Sequence, residues 1–194
     1  MTIGADYVSL TELKDYLKLT STAKDSTLQA AVTSASRNIE RFCNRQFNKV
    51  DTASARRFRP DLESLAEVDD FYDASGLVIE TSFDGTSWSA QTDYELDPID
   101  GIREGQPGWP FSSIRAFGFT FPVNGRSTLR VTAKWGWAAV PQPVKQACLE
   151  LAHEIYKSAD APFGVAGFDQ YGAVRVRENS KVSAMLSRYR RLDM

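Results

Sequence analysis

The chain has 194 residues, of which 42% are hydrophobic and 25% are charged, and its formal net charge is −2. These values predict a soluble globular protein and argue against a nucleic-acid binder that acts through its whole surface, because such proteins are usually basic. No apolar run approaches the roughly 20 residues that span a bilayer, so no membrane segment is predicted. The N-terminal residues lack the basic and apolar regions of a signal peptide, so none is expected.

Two helices are predicted at the N-terminal end. The first covers about Leu10 to Leu19 and begins at a capping box, in which Ser9 accepts a backbone N–H and Glu12 reaches back. The second runs from Ser26 to about Phe47 behind Asp25 as N-cap, because its apolar residues recur every three or four positions over several turns. Its apolar stripe requires a partner helix.

The partner is predicted in the stretch that follows Trp135-Gly-Trp137. Pro143 suits the first turn of a helix, and apolar residues then recur at helical spacing as far as Tyr156. We expect Leu151 of this helix and Ile39 of the second helix to lie in one seam. A last helix is predicted from Lys181 to about Arg191, capped by Asn179-Ser180.

Between these helices the pattern is typical of short strands. A short strand is predicted at residues 68–72, a hairpin around Asp84-Gly85, a loop from Gly101 to Pro110, and two further strands at residues 113–117 and 128–135. Because two helices that pair with each other flank this block, it is interpreted as an insertion. The predicted fold is mainly α, a helical bundle of residues 1–49 plus 140–194, with a small antiparallel β unit inserted at residues 50–139.

No catalytic or metal-binding constellation is predicted, and no cofactor. His153 is the only histidine, and Cys148 lies about 140° away around the same helix, so the two cannot form a dyad. Cys43 and Cys148 fall on apolar stripes and are expected to be reduced core residues. The acidic clusters around Asp70 and Glu95 are interpreted as solvated surface, and we expect no enzyme.

Three features are candidates for binding. The helix from Ser26 carries a basic row at every fourth residue, which is either a channel or partner-facing surface or a solvated face; its members are Arg37, Arg41 and Arg45. A glycine-rich segment carries apolar residues that are typical of a docking loop, namely Phe163, Val165, Phe168 and Tyr171. The basic C-terminal tail has an apolar stripe, so it is either an amphipathic docking helix or a helix packed on its own subunit.

Two stretches of the chain resemble a known family. The first combines Tyr7-Val-Ser-Leu-Thr-Glu-Leu-Lys-Asp-Tyr-Leu with the helix end Ile39-Glu-Arg-Phe-Cys-Asn-Arg-Gln-Phe47. The second contains Trp135-Gly-Trp137, Val140-Pro-Gln-Pro-Val-Lys-Gln-Ala, Tyr156-Lys157, Gly164-Val-Ala-Gly-Phe168 and Tyr189-Arg-Arg191. In order and content they are similar to the head–tail connector, or adaptor, proteins of long-tailed phages and related gene transfer agents. The β block matches only as an insertion found in longer members.

The resemblance implies a structural, non-enzymatic protein of the virion neck that is made in the host cytoplasm. It implies a helical adaptor domain that forms a ring, commonly of twelve subunits, which joins the portal to a stopper or other downstream neck or tail protein. Double-stranded DNA would pass through the lumen during ejection. It also implies a portal-docking tail, here formed by Val174, Arg175, Val176, Arg177, Val182, Met185, Leu186, Arg188, Tyr189, Arg190 and Arg191.

Two alternatives stay open. One is another neck or tail-completion protein, a stopper or tail terminator, although the long helix pair argues against these mainly β families. The other is a DNA-binding module that acts through Arg37, Arg41 and Arg45, for which steeply salt-dependent binding is expected.

Overall fold

The computed structural model describes residues 4–160 and 179–191, and the chain divides into two units. One unit comprises Met1–Phe47 and Val140–Met194, and the other Asn48–Ala139. The helices of the first unit are α1 (Leu10–Leu17), α2 (Asp25–Cys43), α3 (Gln142–Asp160) and α4 (Ser180–Leu186), with a 3-10 turn at Ser187–Tyr189. No helix in the described part of the chain is both long and apolar enough to cross a membrane.

Local signals in the sequence fix the helix ends. Ser9 and Glu12 form the predicted capping box at α1, since the Ser9 hydroxyl accepts the Glu12 N–H and Glu12 accepts the Ser9 N–H. The side chain of Asn179 caps α4 by accepting the N–H groups of Lys181 and Val182, which confirms the predicted cap. Asp25 is the first residue of α2 instead of its cap, and α2 ends at Cys43, four residues earlier than predicted.

The helical unit is built on the predicted seam between α2 and α3. Ile39 and Leu151 are both fully buried, and the Ser36 hydroxyl contacts the Cys148 thiol across the seam at 3.5 Å. Cys43 and Cys148 are free and buried. Their burial raises the pKa of the Cys43 thiol to about 12 and that of Cys148 to about 11, as expected for inert core thiols.

The second unit is organised around an antiparallel sheet. Its strands are β1 (Ser54–Phe58), β2 (Leu65–Thr81), β3 (Ser89–Gln91), β4 (Tyr94–Asp97), β7 (Phe111–Ala116) and β8 (Leu129–Trp135), and a separate ribbon pairs β5 (Ile102–Arg103) with β6 (Gln106–Pro107). The strand order is β1-β8-β2-β7-β4, and β3 pairs with the end of β2. Inward-facing residues of β2, β7 and β8 form one hydrophobic core, including Phe71, Ile114 and Trp135.

The prediction of a mainly α fold with a small β insertion is therefore wrong. Four helices and a six-stranded sheet among the described residues make this a mixed α/β fold. The main reason is β2, a 17-residue strand that the sequence divides into two short segments. Asp73 pairs with Lys134 and Val78 with Thr132, so β2 advances five residues while β8 advances two. This bulge interrupts the alternation of polar and apolar residues without ending the strand.

Other strand predictions are partly confirmed. The hairpin around Asp84-Gly85 exists, because Thr81 of β2 pairs with Ser89 of β3. The carboxylate of Asp84 accepts the N–H groups of Ser87 and Thr86 in this turn, which holds its pKa well below the usual range. The segment from Gly101 to Pro110 is not only loop, since it contains the β5–β6 ribbon.

Candidate interaction surfaces

The predicted docking residues lie partly outside the described part of the chain. This is the case for Val174, Arg175, Val176 and Arg177 of the tail and for the loop residues Phe163, Val165, Phe168 and Tyr171. The remaining tail residues, from Val182 to Arg191, are described; they lie on α4, on the 3-10 turn that follows it and, for Arg190 and Arg191, just after that turn.

The apolar face of α4 is covered within its own unit. Val182 and Leu186 are fully buried, and α4 contacts α3. Tyr189 is 7% exposed and meets the ring of Phe47 edge-on, with the ring centroids 5.9 Å apart. Phe47 in turn meets Tyr7, so one aromatic cluster joins the N-terminal segment, the segment after α2 and the C-terminal turn. These apolar residues of the tail are part of a core in this subunit.

Two polar contacts hold the start of α4 against α3. Lys181 forms an ion pair with Glu150 at 2.8 Å, and the amide of Asn179 donates to the carboxylate of Glu154. Burial of Glu150 raises its pKa, but the hydrogen bonds from Lys181 and Gln146 outweigh this effect, so its pKa lies below the ordinary value. At the other end, the backbone N–H of Arg191 donates to the carbonyl of Cys43 at 2.8 Å.

The tail residues that solvent reaches are mainly basic. Arg190 is exposed, whereas Met185, Arg188 and Arg191 are half-buried. The guanidinium of Arg190 lies 5.8 Å from the centre of the Phe42 ring. A partner could therefore contact this edge through positive charge while the apolar face of α4 stays in place.

The predicted basic row on α2 does not form a continuous face. Arg37 is half-buried, pairs with Glu40 at 3.0 Å and donates to the carbonyl of Ala5 at 3.1 Å. Arg41 is exposed, but Arg45 is only 9% exposed. The row is broken because α2 ends before Arg45 and Asn44 turns the chain with a φ of 50°. The structure therefore removes the observation on which the DNA-binding alternative depended.

The solvent-facing side of the sheet carries a basic and aromatic cluster that sequence reasoning missed. Arg57 of β1 lies directly opposite Arg130 of β8, and Arg130 forms a bidentate ion pair with Glu80 of β2 at 2.5 and 2.6 Å. Both guanidinium groups lie near the Trp88 ring, at 5.3 Å for Arg57 and 4.5 Å for Arg130. The ring and the Glu80 carboxylate offset the repulsion between two like charges placed opposite each other.

Large apolar side chains are exposed on loops beside the sheet. Phe83 is 78% exposed, Phe117 61% and Leu62 57%. Hydrogen bonds tie these loops together, since Asn124 donates to the Phe83 carbonyl and the Phe121 N–H donates to the Glu63 carbonyl. Exposed apolar side chains on connected loops are typical of surfaces that a partner covers.

The acidic residues of the sheet do not converge on one point. Asp69 pairs with Arg56, Asp73 with Lys134, and Asp70 accepts from the Trp137 indole. Within residues 4–160 and 179–191, no three His, Cys, Asp or Glu side chains are placed to hold a metal ion. His153 is half-buried and meets the Tyr16 ring edge-on, which is a packing role.

No protein-family model and no curated protein matches the chain. Solved structures do match it. A chain from the neck of an empty GTA particle, computed with C6 symmetry, aligns at 15% sequence identity and a TM-score of 0.57, covering 97% of this chain and 91% of that chain. A chain from the virion of a native gene transfer agent (GTA) particle aligns at 19% identity and a TM-score of 0.51, with the same coverage. A chain from the neck of a native GTA particle, computed with C12 symmetry, aligns at 16% identity and a TM-score of 0.48, covering 100% of this chain and 97% of that chain.

The chain thus shares its fold with a protein from the neck of a gene transfer agent particle. The resemblance to gene transfer agent neck proteins that the sequence indicates is confirmed at the level of the fold. The likeness extends over both the helical unit and the sheet unit.

Proposed function

We propose that the chain is a structural subunit of the neck of a phage-like particle. Copies form a ring that joins the portal to the next head–tail component and extends the channel through which double-stranded DNA leaves. The observation that carries this proposal is the likeness to the neck chain, which covers 97% of this chain and 91% of the other. A helix pair or a small sheet alone recurs in many unrelated proteins, whereas a match across both units is more specific.

The surfaces described above support an assembly role. Phe83, Phe117 and Leu62 are exposed apolar residues of the kind that an assembled partner covers. In a ring, contacts that are weak in one subunit add up over all copies, so no single large interface is required. Catalysis has no part in this proposal.

The proposed portal contact is narrower than the eleven-residue tail. Because Val182, Leu186 and Tyr189 belong to the core of the helical unit, the accessible basic edge at Arg188, Arg190 and Arg191 is the better candidate among the described residues. A positive edge would recognise an acidic surface of the portal. Arg190→Glu should weaken attachment to purified portal rings, whereas Lys157→Glu, the same charge change at an exposed residue of α3, should not.

The decisive experiment is removal of the gene in the strain that makes the particle, followed by electron microscopy. We expect DNA-filled heads that lack tails, together with free tails, and restoration by the intact chain. A tagged copy should label a ring directly below the portal. Complete tailed particles without this protein would refute the proposal, and a label further down the neck would favour the stopper or tail-terminator alternative.

A further inference from the structure

The strand order of the six-stranded sheet begins at β1 and ends at β4. Among the residues that the structure describes, β1 pairs only with β8 and β4 only with β7, so each of these two strands has one side without a neighbouring strand there. Within the described part of the chain, the only hydrogen bond to a β1 backbone group from outside the β1–β8 ladder comes from the Trp135 indole to the Ser54 carbonyl. An open edge presents unpaired N–H and C=O groups and is a template for another strand. The edges of this sheet therefore need a partner or a device that blocks pairing.

The two edges point in compatible directions. All pairings along the order β1-β8-β2-β7-β4 are antiparallel, so β1 and β4 run in the same direction. A second copy in a similar orientation could place its β4 alongside β1 in a parallel arrangement. Such a contact joins two different surfaces of the chain, so it can repeat from copy to copy.

Side chains alternate between the two faces of both edge strands. On β1, Phe58 packs against the hydrophobic core, whereas Arg57 faces outward opposite Arg130. On β4, Tyr94 and Leu96 pack against the core, so Glu95 between them faces outward. Phe58, Tyr94 and Leu96 are only half-buried in one subunit, which leaves apolar surface at both edges.

The outward charges of the two edges are opposite. β1 carries the exposed Arg57, and the exposed Arg59 is the first residue after the strand. The β4 edge carries Glu95 and Asp97, and Asp97 pairs with Arg115 of β7 at 3.3 Å, so the negative charge of this edge is mainly that of Glu95. Pairing β1 with β1 would align arginines, and pairing β4 with β4 would align carboxylates. Only pairing of β1 with β4 brings opposite charges together, which favours a head-to-tail contact over a symmetric dimer.

We infer that β1 of one subunit adds to β4 of the next copy of the same chain, with Arg57 facing Glu95 on the outer face. Phe58 of one copy then covers part of Tyr94 and Leu96 of the other. Closure of this repeated contact into a ring rests on the proposed function, but the pairing itself requires only two copies. Because the charges lie at the surface, the contact weakens as the salt concentration rises.

Charge exchange tests the pairing. In low salt, sedimentation at increasing concentrations should show self-association that Arg57→Glu or Glu95→Arg weakens about tenfold or more, since attraction becomes repulsion. The double variant Arg57→Glu/Glu95→Arg should recover association, because the two edges again match. Lys157→Glu, on the exposed side of α3, is the control and should behave as wild type. Arg57→Glu should not unfold the subunit, as it replaces a like charge opposite Arg130.

Cross-linking gives an independent measure of the same contact. The double variant Arg57→Cys/Glu95→Cys, treated with a short bismaleimide, should give a ladder of dimers, trimers and larger species. Each single variant should give almost none, because its cysteine would face an arginine or a carboxylate. The native cysteines are buried and have raised pKa values, so they should not react.

The outcomes separate this inference from the proposed function. Concentrated protein that stays monomeric, single variants that associate as well as wild type, or a double variant that does not recover would each overturn the edge pairing. A strong dimer from Arg57→Cys alone would do so as well, since it indicates β1 beside β1. If the pairing is found but gene removal leaves complete particles, the pairing stands and the neck function fails.

Discussion

The indole N–H of Trp137 donates to the carboxylate of Asp70 at 2.9 Å, and both side chains are buried. Trp137 also lies against Trp109, with the ring centroids 5.2 Å apart. The neighbouring Gly136 donates its backbone N–H to the carbonyl of Asp70 at 2.6 Å. The Trp135-Gly-Trp137 motif thus links the end of β8 to β2 by hydrogen bonds. The carboxylate of Asp70 is buried, so its stability depends on donors such as the Trp137 indole.

Trp137→Phe should destabilise the chain by about 2–3 kcal/mol, because Asp70 would lose a donor that it cannot replace with water. The measurement is denaturant unfolding followed by circular dichroism. Trp88→Phe is the matched control, since Trp88 is half-buried and its ring contacts are cation–π, and it should lose less than about 1 kcal/mol. Equal losses for the two variants would contradict this role of Asp70.

Gly136→Ala should prevent stable folding. Gly136 has a φ of 95°, and a Cβ there would lie 1.7 Å from the carbonyl oxygen of Asn48. We expect a loss on the order of 4 kcal/mol or more, since backbone atoms block the position. Gly125→Ala has a similar φ of 75° but no atom within 4 Å, so it should cost only about 1–2 kcal/mol. The readout is soluble yield together with thermal unfolding, and comparable behaviour of both variants would contradict the clash.

Leu151→Ala and Ile39→Ala should each cost about 2–5 kcal/mol, because both side chains are fully buried in the helical unit. The double variant should lose less than the sum if the two residues share one cavity. Leu62→Ala, at a position that is 57% exposed, should change the free energy of unfolding by less than about 0.5 kcal/mol. Chemical unfolding of the four variants provides the test.

Asn179→Ala should lower the stability of α4 by about 1–2 kcal/mol. It removes the N-cap, in which the Asn179 side chain accepts the N–H groups of Lys181 and Val182, and it removes the hydrogen bond to Glu154. Amide hydrogen exchange should accelerate in α4 and stay unchanged in α1. Ser180→Ala next to it alters an exposed residue and serves as the control. Unchanged exchange in α4 would show that the apolar contacts of Val182 and Leu186 alone hold the helix.

Acid should weaken the attachment of α4 through Glu150. In the folded protein the pKa of Glu150 lies below its ordinary value. The stability that its carboxylate contributes is therefore present at pH values above the ordinary pKa, and it is lost as the pH falls through the lowered pKa. Between about pH 6 and pH 3, the free energy of unfolding of wild type should fall by up to about 1 kcal/mol more than that of Glu150→Gln. The difference is small because Lys181, the partner of Glu150, is largely exposed. Parallel pH dependences for the two proteins would contradict this linkage.

Sequence reasoning found features that depend on near neighbours in the chain. The caps at Ser9 and Asn179, the buried stripe through Ile39 and Leu151, and the turn at Asp84-Gly85 were all confirmed. Each is set by a helical or hairpin periodicity that a short window of residues contains. The end of α2 was predicted less well. The sequence extends this helix to Phe47 and places Arg45 on it, because nothing nearby shows that Asn44 ends α2.

The sequence alone determined which segments are helical and which side of each helix is apolar, since those properties follow from local spacing. Only the tertiary structure decided that β2 is one bulged strand, because β8 supplies its partners from 48 to 64 residues further along the chain. Only the tertiary structure showed that α4 is buried in its own unit and that Arg57 and Glu95 lie on opposite edges of one sheet. Strand order and helix docking depend on long-range contacts, which no local pattern of residues encodes.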